Sequence, residues 1–132
     1  MIRNEIKLLK TIIDNSYSPY SNLKVAAILK TKSGKLYPGV NVENAGIMSI
    51  CAEKSAFVNA ISNGEKDFEY IIIAARKKDK KQLEPIVPCG SCRQFISEFV
   101  SDDFKIYAVE EEYIKEYKIK DLLPFTFKLD KK

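Results

Sequence analysis

Residues 70–75 read Tyr70-Ile71-Ile72-Ile73-Ala74-Ala75. The run is continuously apolar and rich in β-branched side chains, which suits a strand buried on both faces of a sheet. Such a strand needs helices above and below it. Upstream, a helical pattern runs from Cys51 to about Ser62, with Ala52, Ala56, Phe57, Ala60 and Ile61 on one side, and Asn63-Gly64 stops it. Downstream, the charged stretch Arg76 to Pro88 reads as a loop. It leads into a second helix beginning at Cys89, with an apolar stripe of Cys92, Phe95, Ile96, Phe99 and Val100.

Further out, Ile6, Leu9, Ile12 and Ile13 form a helical stripe that ends near Asn15-Ser16, before Pro19. Val25 to Leu29 and Lys35 to Val40 flank Ser33-Gly34 and read as a β-hairpin, with Pro38 marking an edge or an irregular strand. Asn41 to Ile50 is a loop. Phe104 to Val109 and Tyr113 to Lys118 are strands, and Asp121 to Pro124 is a short terminal turn of helix. The order α-β-β-α-β-α-β-β-α predicts an α/β fold, a three-layer α-β-α sandwich around a five-stranded mixed sheet. Residues 1–132 form a single domain. Both cysteine-bearing helices follow strands, so their N-termini fall at the carboxyl edge of the sheet, where open α/β folds place their sites.

Composition narrows the function. The 22 Lys plus Arg against 18 Asp plus Glu leave a net charge of +4, and 45% of residues are hydrophobic. This excludes a disordered chain or a collagen-like repeat. No apolar run approaches the ~20 residues of a membrane span, and the N-terminus enters an amphipathic pattern without a signal-peptide core, so the cytoplasm is the expected compartment. The lysines are dispersed, which argues against a nucleic-acid partner. The chain has no histidine and three cysteines, an odd number that argues against a disulfide framework. Metal chemistry must then use thiolates, and proton transfer must use a carboxylate, Lys, Tyr or Cys.

Cys51 opens one helix, and Cys89-Gly90-Ser91-Cys92 opens another. A helix N-terminus favours the thiolate. Three thiolates fill three of zinc's four tetrahedral positions, and the open fourth, available to water, marks a catalytic site. Glu53, two residues after Cys51, lies in the first helical turn and can accept the proton of an activated water. Zinc with three thiolates sums to one negative charge, which the helix dipoles help to offset; Lys54, three residues after Cys51, and Arg93, directly after Cys92, are candidates for the rest, one or both expected to hydrogen-bond the thiolates. Each feature alone has a plainer reading. Cys-x-x-Cys can be a redox pair or half a structural zinc site, Cys51 a small buried hydrophobe, and Glu53 a helix N-terminal charge.

Together, these residues resemble the zinc nucleobase deaminases, with their three-sulfur or His/Cys/Cys metal site, non-ligand Glu and Pro-Cys-x-x-Cys element. More narrowly, the chain is similar to the small homotetrameric cytidine deaminases. The matching stretches are Tyr17-Ser18-Pro19-Tyr20-Ser21, Gly39-Val40-Asn41-Val42-Glu43-Asn44-Ala45, Cys51-Ala52-Glu53, Pro88 to Gln94, and Leu122-Leu123-Pro124. The resemblance implies one zinc per subunit on Cys51, Cys89 and Cys92. It also implies hydrolytic deamination of cytidine and 2′-deoxycytidine in pyrimidine salvage, with Glu53 moving the proton to N3 and then to the leaving amine. Asn41 and Glu43 would bind the ribose 3′-hydroxyl. Ala52 would contact the substrate, Leu23 would pack near base and sugar, and Phe127 would cover the pocket of its own or a neighbouring subunit. The chain departs from the family at Lys54, where Arg is common. Its loop Ala45 to Ile50 is about one residue short and lacks the usual Tyr. Two other readings share the sulfur cluster: a deaminase of another cytosine nucleoside, such as blasticidin S, and a non-enzymatic structural zinc protein.

Overall fold

The computed structural model describes residues 2–131. The first stripe forms α1 (Arg3–Ile12), which ends in a 3₁₀ turn at Ile13–Asn15. Leu9 and Ile13 are its buried anchors. Full burial of such a side chain is worth about 1.5–3 kcal/mol. The hairpin is β1 (Leu23–Thr31) and β2 (Leu36–Val40), followed by α2 (Ala52–Ser62) and β3 (Phe68–Lys77). A two-residue β4 (Leu83–Glu84) precedes α3 (Gly90–Ser97), β5 (Lys105–Val109), β6 (Ile114–Lys118) and α4 (Ile119–Leu122).

The sheet order is β2-β1-β3-β5-β6, with β4 added beside β3. The sheet is mixed: β3 and β5 run parallel, and every other pair is antiparallel. The strand count is six rather than the expected five. The extra strand arises because Leu83, at the end of a charged run, is drawn into the core and pairs with Arg76. Pro38 lies on β2, an edge strand, as its missing N–H requires. The last helix starts at Ile119, two residues earlier than expected. Ile119 is buried, while Leu123, ahead of Pro124, leaves the helical region with φ −140° and ψ 74°.

Alternation along the central strands splits the core. Val25, Ala27 and Leu29 of β1 join Ile71, Ile73 and Ala75 of β3 under α2 and α3, beside Phe57 and Ile96. Ala26, Ile28, Ile72 and Ala74 face the other way, against Leu9 and Ile13. Phe57 touches Phe68, Phe95, Phe99 and Phe104, with ring centroids 5.0–6.2 Å apart, and so joins α2 to α3.

One glycine sets how closely α2 approaches the sheet. A Cβ on Gly39 would lie 2.3 Å from the backbone N of Ala56 and 2.5 Å from the carbonyl O of Ala52. Only a bare backbone fits there. Ser55 Oγ donates to the Val40 carbonyl at 2.9 Å, and Asn59 Nδ2 donates to the Pro38 carbonyl at 3.2 Å. The start of α2 is thereby fixed at the carboxyl end of β2. Because β2 and β3 are both antiparallel to β1, they point the same way, and the starts of α2 and α3 share one sheet edge.

Candidate active site

Cys51 immediately precedes α2 and Cys89 immediately precedes α3; both have extended backbones, and neither side chain caps its helix. Cys92 lies in the first turn of α3. The three sulfurs lie within 4.8 Å of one another, and Cys51 Sγ stands 3.8 Å from Cys89 Sγ. Two sulfurs bound tetrahedrally at about 2.3 Å stand about 3.8 Å apart, so this spacing fits one zinc ion. All three cysteines are free of disulfides. Among the described residues, no fourth Cys, Asp or Glu joins the group.

The thiols are not equivalent. Hydrogen bonding from Cys92 draws Cys51 down to about 6, with smaller help from Cys89 and the Lys54 charge. The same bond, together with burial, pushes Cys92 up. Glu53 is buried at 3% exposure. That burial pushes its carboxyl up to about 7; the Cys51 charge adds to the effect and the Lys54 charge works against it.

Lys54 and Arg93 do not hydrogen-bond sulfur. Lys54 Nζ donates to Ser91 Oγ at 2.6 Å and lies 5.8 Å from the centre of the Phe95 ring. Arg93 donates from Nε to the Pro88 carbonyl at 2.7 Å and from Nη1 to the Leu122 carbonyl at 2.9 Å. Successive helical side chains are about 100° apart, so adjacency to Cys92 turns Arg93 away from that sulfur rather than towards it.

A cleft of about 290 Å³ lies beside the sulfurs and includes Leu23, Asn41, Cys51, Ala52, Glu53 and Cys89 in its wall. Val25, Ser49, Ile50, Ile86 and Val87 complete it. Of these, Ile86 and Val87 were legible in principle as an apolar pair at the end of a charged loop, whereas the others depend on tertiary approach. Glu43 faces an adjoining hollow of about 340 Å³, and Ser49 lines both spaces. Phe127 is not in the cleft. It is 69% exposed on the C-terminal tail, where its carbonyl accepts from Gln94 Nε2 at 2.9 Å.

Asn41 and Glu43 are held by their own surroundings. Asn41 Oδ1 accepts from Ser16 Oγ and from the Val25 N–H, while its Nδ2 donates to the Leu23 carbonyl at 2.9 Å. Glu43 is buried; it accepts from the Tyr20 and Ser21 N–H groups through Oε1 and from the Ser21 hydroxyl through Oε2. These bonds, the Ser21 hydroxyl foremost, hold its carboxyl below the ordinary carboxylate value. Of the supporting residues, Tyr20 and Ser21 lie in the Tyr17 to Ser21 stretch that carries the resemblance, whereas Ser16 has no chemical signature in the sequence.

A three-sulfur zinc site, a buried carboxylate two residues beyond one ligand and an α-β-α scaffold define a hydrolase of the zinc nucleobase-deaminase class. Comparison with known proteins agrees. Residues 3–108 match the cytidine and deoxycytidylate deaminase zinc-binding region. The chain is 42% identical over 98 residues to a probable cytidine deaminase from Dictyostelium discoideum, a match covering 74% of this chain and 63% of that protein. It is 35% identical over 116 residues to a cytidine deaminase from Sporosarcina psychrophila, covering 86% and 82% of the two chains. Among solved structures, the cytidine deaminase of Burkholderia pseudomallei superposes with a TM-score of 0.83 at 32% identity, covering 96% of this chain and 100% of that one. The chain belongs to the cytidine and deoxycytidylate deaminase family.

Proposed function

We propose that the chain deaminates cytidine and 2′-deoxycytidine to uridine and 2′-deoxyuridine, releasing ammonia. One observation carries the reading: a three-sulfur metal group, with no fourth side-chain ligand among the described residues, beside the buried Glu53. Cys51, Cys89 and Cys92 hold the zinc. When bound, zinc supplies the Lewis acidity that makes water a nucleophile near neutral pH. Glu53, raised by burial, takes the water proton and delivers it to ring N3 and then to the departing amine. Ala52 and Leu23 wall the cleft where the base sits.

The ribose role of Asn41 and Glu43 follows from what their bonds leave over. Asn41 keeps one unused N–H, and Glu43 keeps lone-pair capacity on Oε2. A hydroxyl can accept from the first and donate to the second. A site built this way rejects analogues that lack the hydroxyl.

The reading places the enzyme in pyrimidine salvage in the cytoplasm, where its free thiols suit a reducing compartment. It also gives a homotetramer, in which exposed Ile47, Met48, Phe125 and Phe127 find partners and the Phe127 tail reaches a pocket.

A metal count and a substrate panel on one purified sample test the proposal. The expected result is one zinc per chain, loss of cytidine and deoxycytidine absorbance, and poor turnover of free cytosine. Zinc without turnover of any substrate would identify a structural metal site. Turnover of blasticidin S alone would identify a deaminase of that nucleoside.

A further inference from the structure

Three thiolates around a divalent ion leave one excess negative charge beside the reacting centre. Arg93 directs its guanidinium to the Pro88 and Leu122 carbonyls and is turned away from Cys92. Lys54 is placed to offset the charge: it lies three residues beyond Cys51 in the first turn of α2, and its ammonium reaches Ser91, which stands between Cys89 and Cys92. A lysine is a flexible point charge without the planar fork of arginine, so something must hold it. Among the described residues its ammonium makes one hydrogen bond, to the hydroxyl of Ser91 on α3 at 2.6 Å, while the Phe95 ring lies 5.8 Å away.

We propose that Ser91 is a positioning residue for the deamination: its hydroxyl pins the Lys54 ammonium across the gap between the starts of α2 and α3, where the cation offsets the thiolate charge through space. This rests on the three-sulfur site described above. The bond joins two neighbours of the ligands, Ser91 between Cys89 and Cys92 and Lys54 beyond Cys51 and Glu53. It therefore links the two helix starts as well as setting the position of the charge. Ser91 accepts from Lys54 and retains its own proton to donate. Its side chain is exposed, so its replacement leaves the core untouched.

The test compares Ser91→Ala, Lys54→Gln, the double variant and Ser91→Thr with the parent chain. Each is loaded with zinc for kinetics and with Co²⁺ to read the thiolate-to-metal charge-transfer band. Ser91→Ala should lower kcat about tenfold with KM within twofold, in line with removal of a group that orients metal ligands. It should shift the Co²⁺ band in the same direction as Lys54→Gln and speed zinc loss to a chelator. The double variant should be no worse than Lys54→Gln alone. Ser91→Thr, which keeps the hydroxyl, should restore the band position and most of the rate. An unmoved band in Ser91→Ala, or losses that multiply in the double variant, would overturn the proposal while leaving the metal site standing. Absence of any thiolate band in the parent chain would overturn the site itself and this proposal with it.

Discussion

The floor of the cleft and the loop and tail segments at the surface are built to different standards. Ala52 and Glu53 in the cleft and Cys92 beside it are at most 3% exposed, Cys51 is half-buried and Cys89 exposed, and the helices that carry or follow them are tied by Gly39, Ser55 and the Phe57 cluster. Ile47, Met48, Phe125 and Phe127, on the loop before α2 and on the C-terminal tail, are 69–91% exposed. Ile47 even adopts a left-handed backbone, φ 68°, which a β-branched residue rarely holds. The carboxylate that depends on low dielectric is thus supplied by the chain's own core, and the sulfurs that depend on fixed spacing stand on the starts of helices that the core holds in place. The apolar surface outside it is left unpartnered in a single chain, which is where an assembly would make its contribution.

The largest expected effect lies at the floor. Glu53→Gln keeps the volume and removes the proton carrier. Turnover should fall by about 10²–10⁴-fold at unchanged zinc content, as measured by absorbance assay and metal analysis. Retained activity would show that another group moves the proton. A middle-sized effect separates the scaffold from the chemistry. Gly39→Ala forces a Cβ against the α2 backbone and should destabilise the fold by about 1–3 kcal/mol, seen as a lowered Tm. Because that contact fixes the start of α2, zinc retention should weaken with it. The smallest effect belongs to the tail. Phe127→Ala should leave zinc content and Tm unchanged and raise KM for cytidine by about two- to tenfold, the worth of one aromatic contact of about 0.5–1.5 kcal/mol. An unchanged KM would remove the tail from the substrate's surroundings and sharpen the contrast between floor and surface.

The layers were legible because their signals are local and periodic. Tyr70 to Ala75 announced a doubly covered strand, Pro38 an edge, and the two cysteine helices their own beginnings. The two-residue β4 was not legible. Nothing periodic marks Leu83-Glu84, and the strand exists because a buried Leu83 is held against β3. The same division runs through the site. The sulfur ligands and Glu53 could be named from spacing because helix starts convert short offsets into fixed positions. Neighbours in sequence were poorer guides. Arg93 turns to two carbonyls, and Lys54 finds a serine on another helix. Glu43 lies on a loop, yet the backbone N–H groups of Tyr20 and Ser21 enclose it. That enclosure depends on two loops meeting, which no local pattern encodes.

The sulfur group also bridges two portions of the chain made far apart. Cys51 arrives with the hairpin and α2, whereas Cys89 and Cys92 arrive with the crossover after β3, 38 positions after Cys51 in the first case. A cation seated there acts as a rivet between these portions. Its binding energy would add resistance to unfolding that grows with the logarithm of free zinc, so that metal supply would set stability as well as activity.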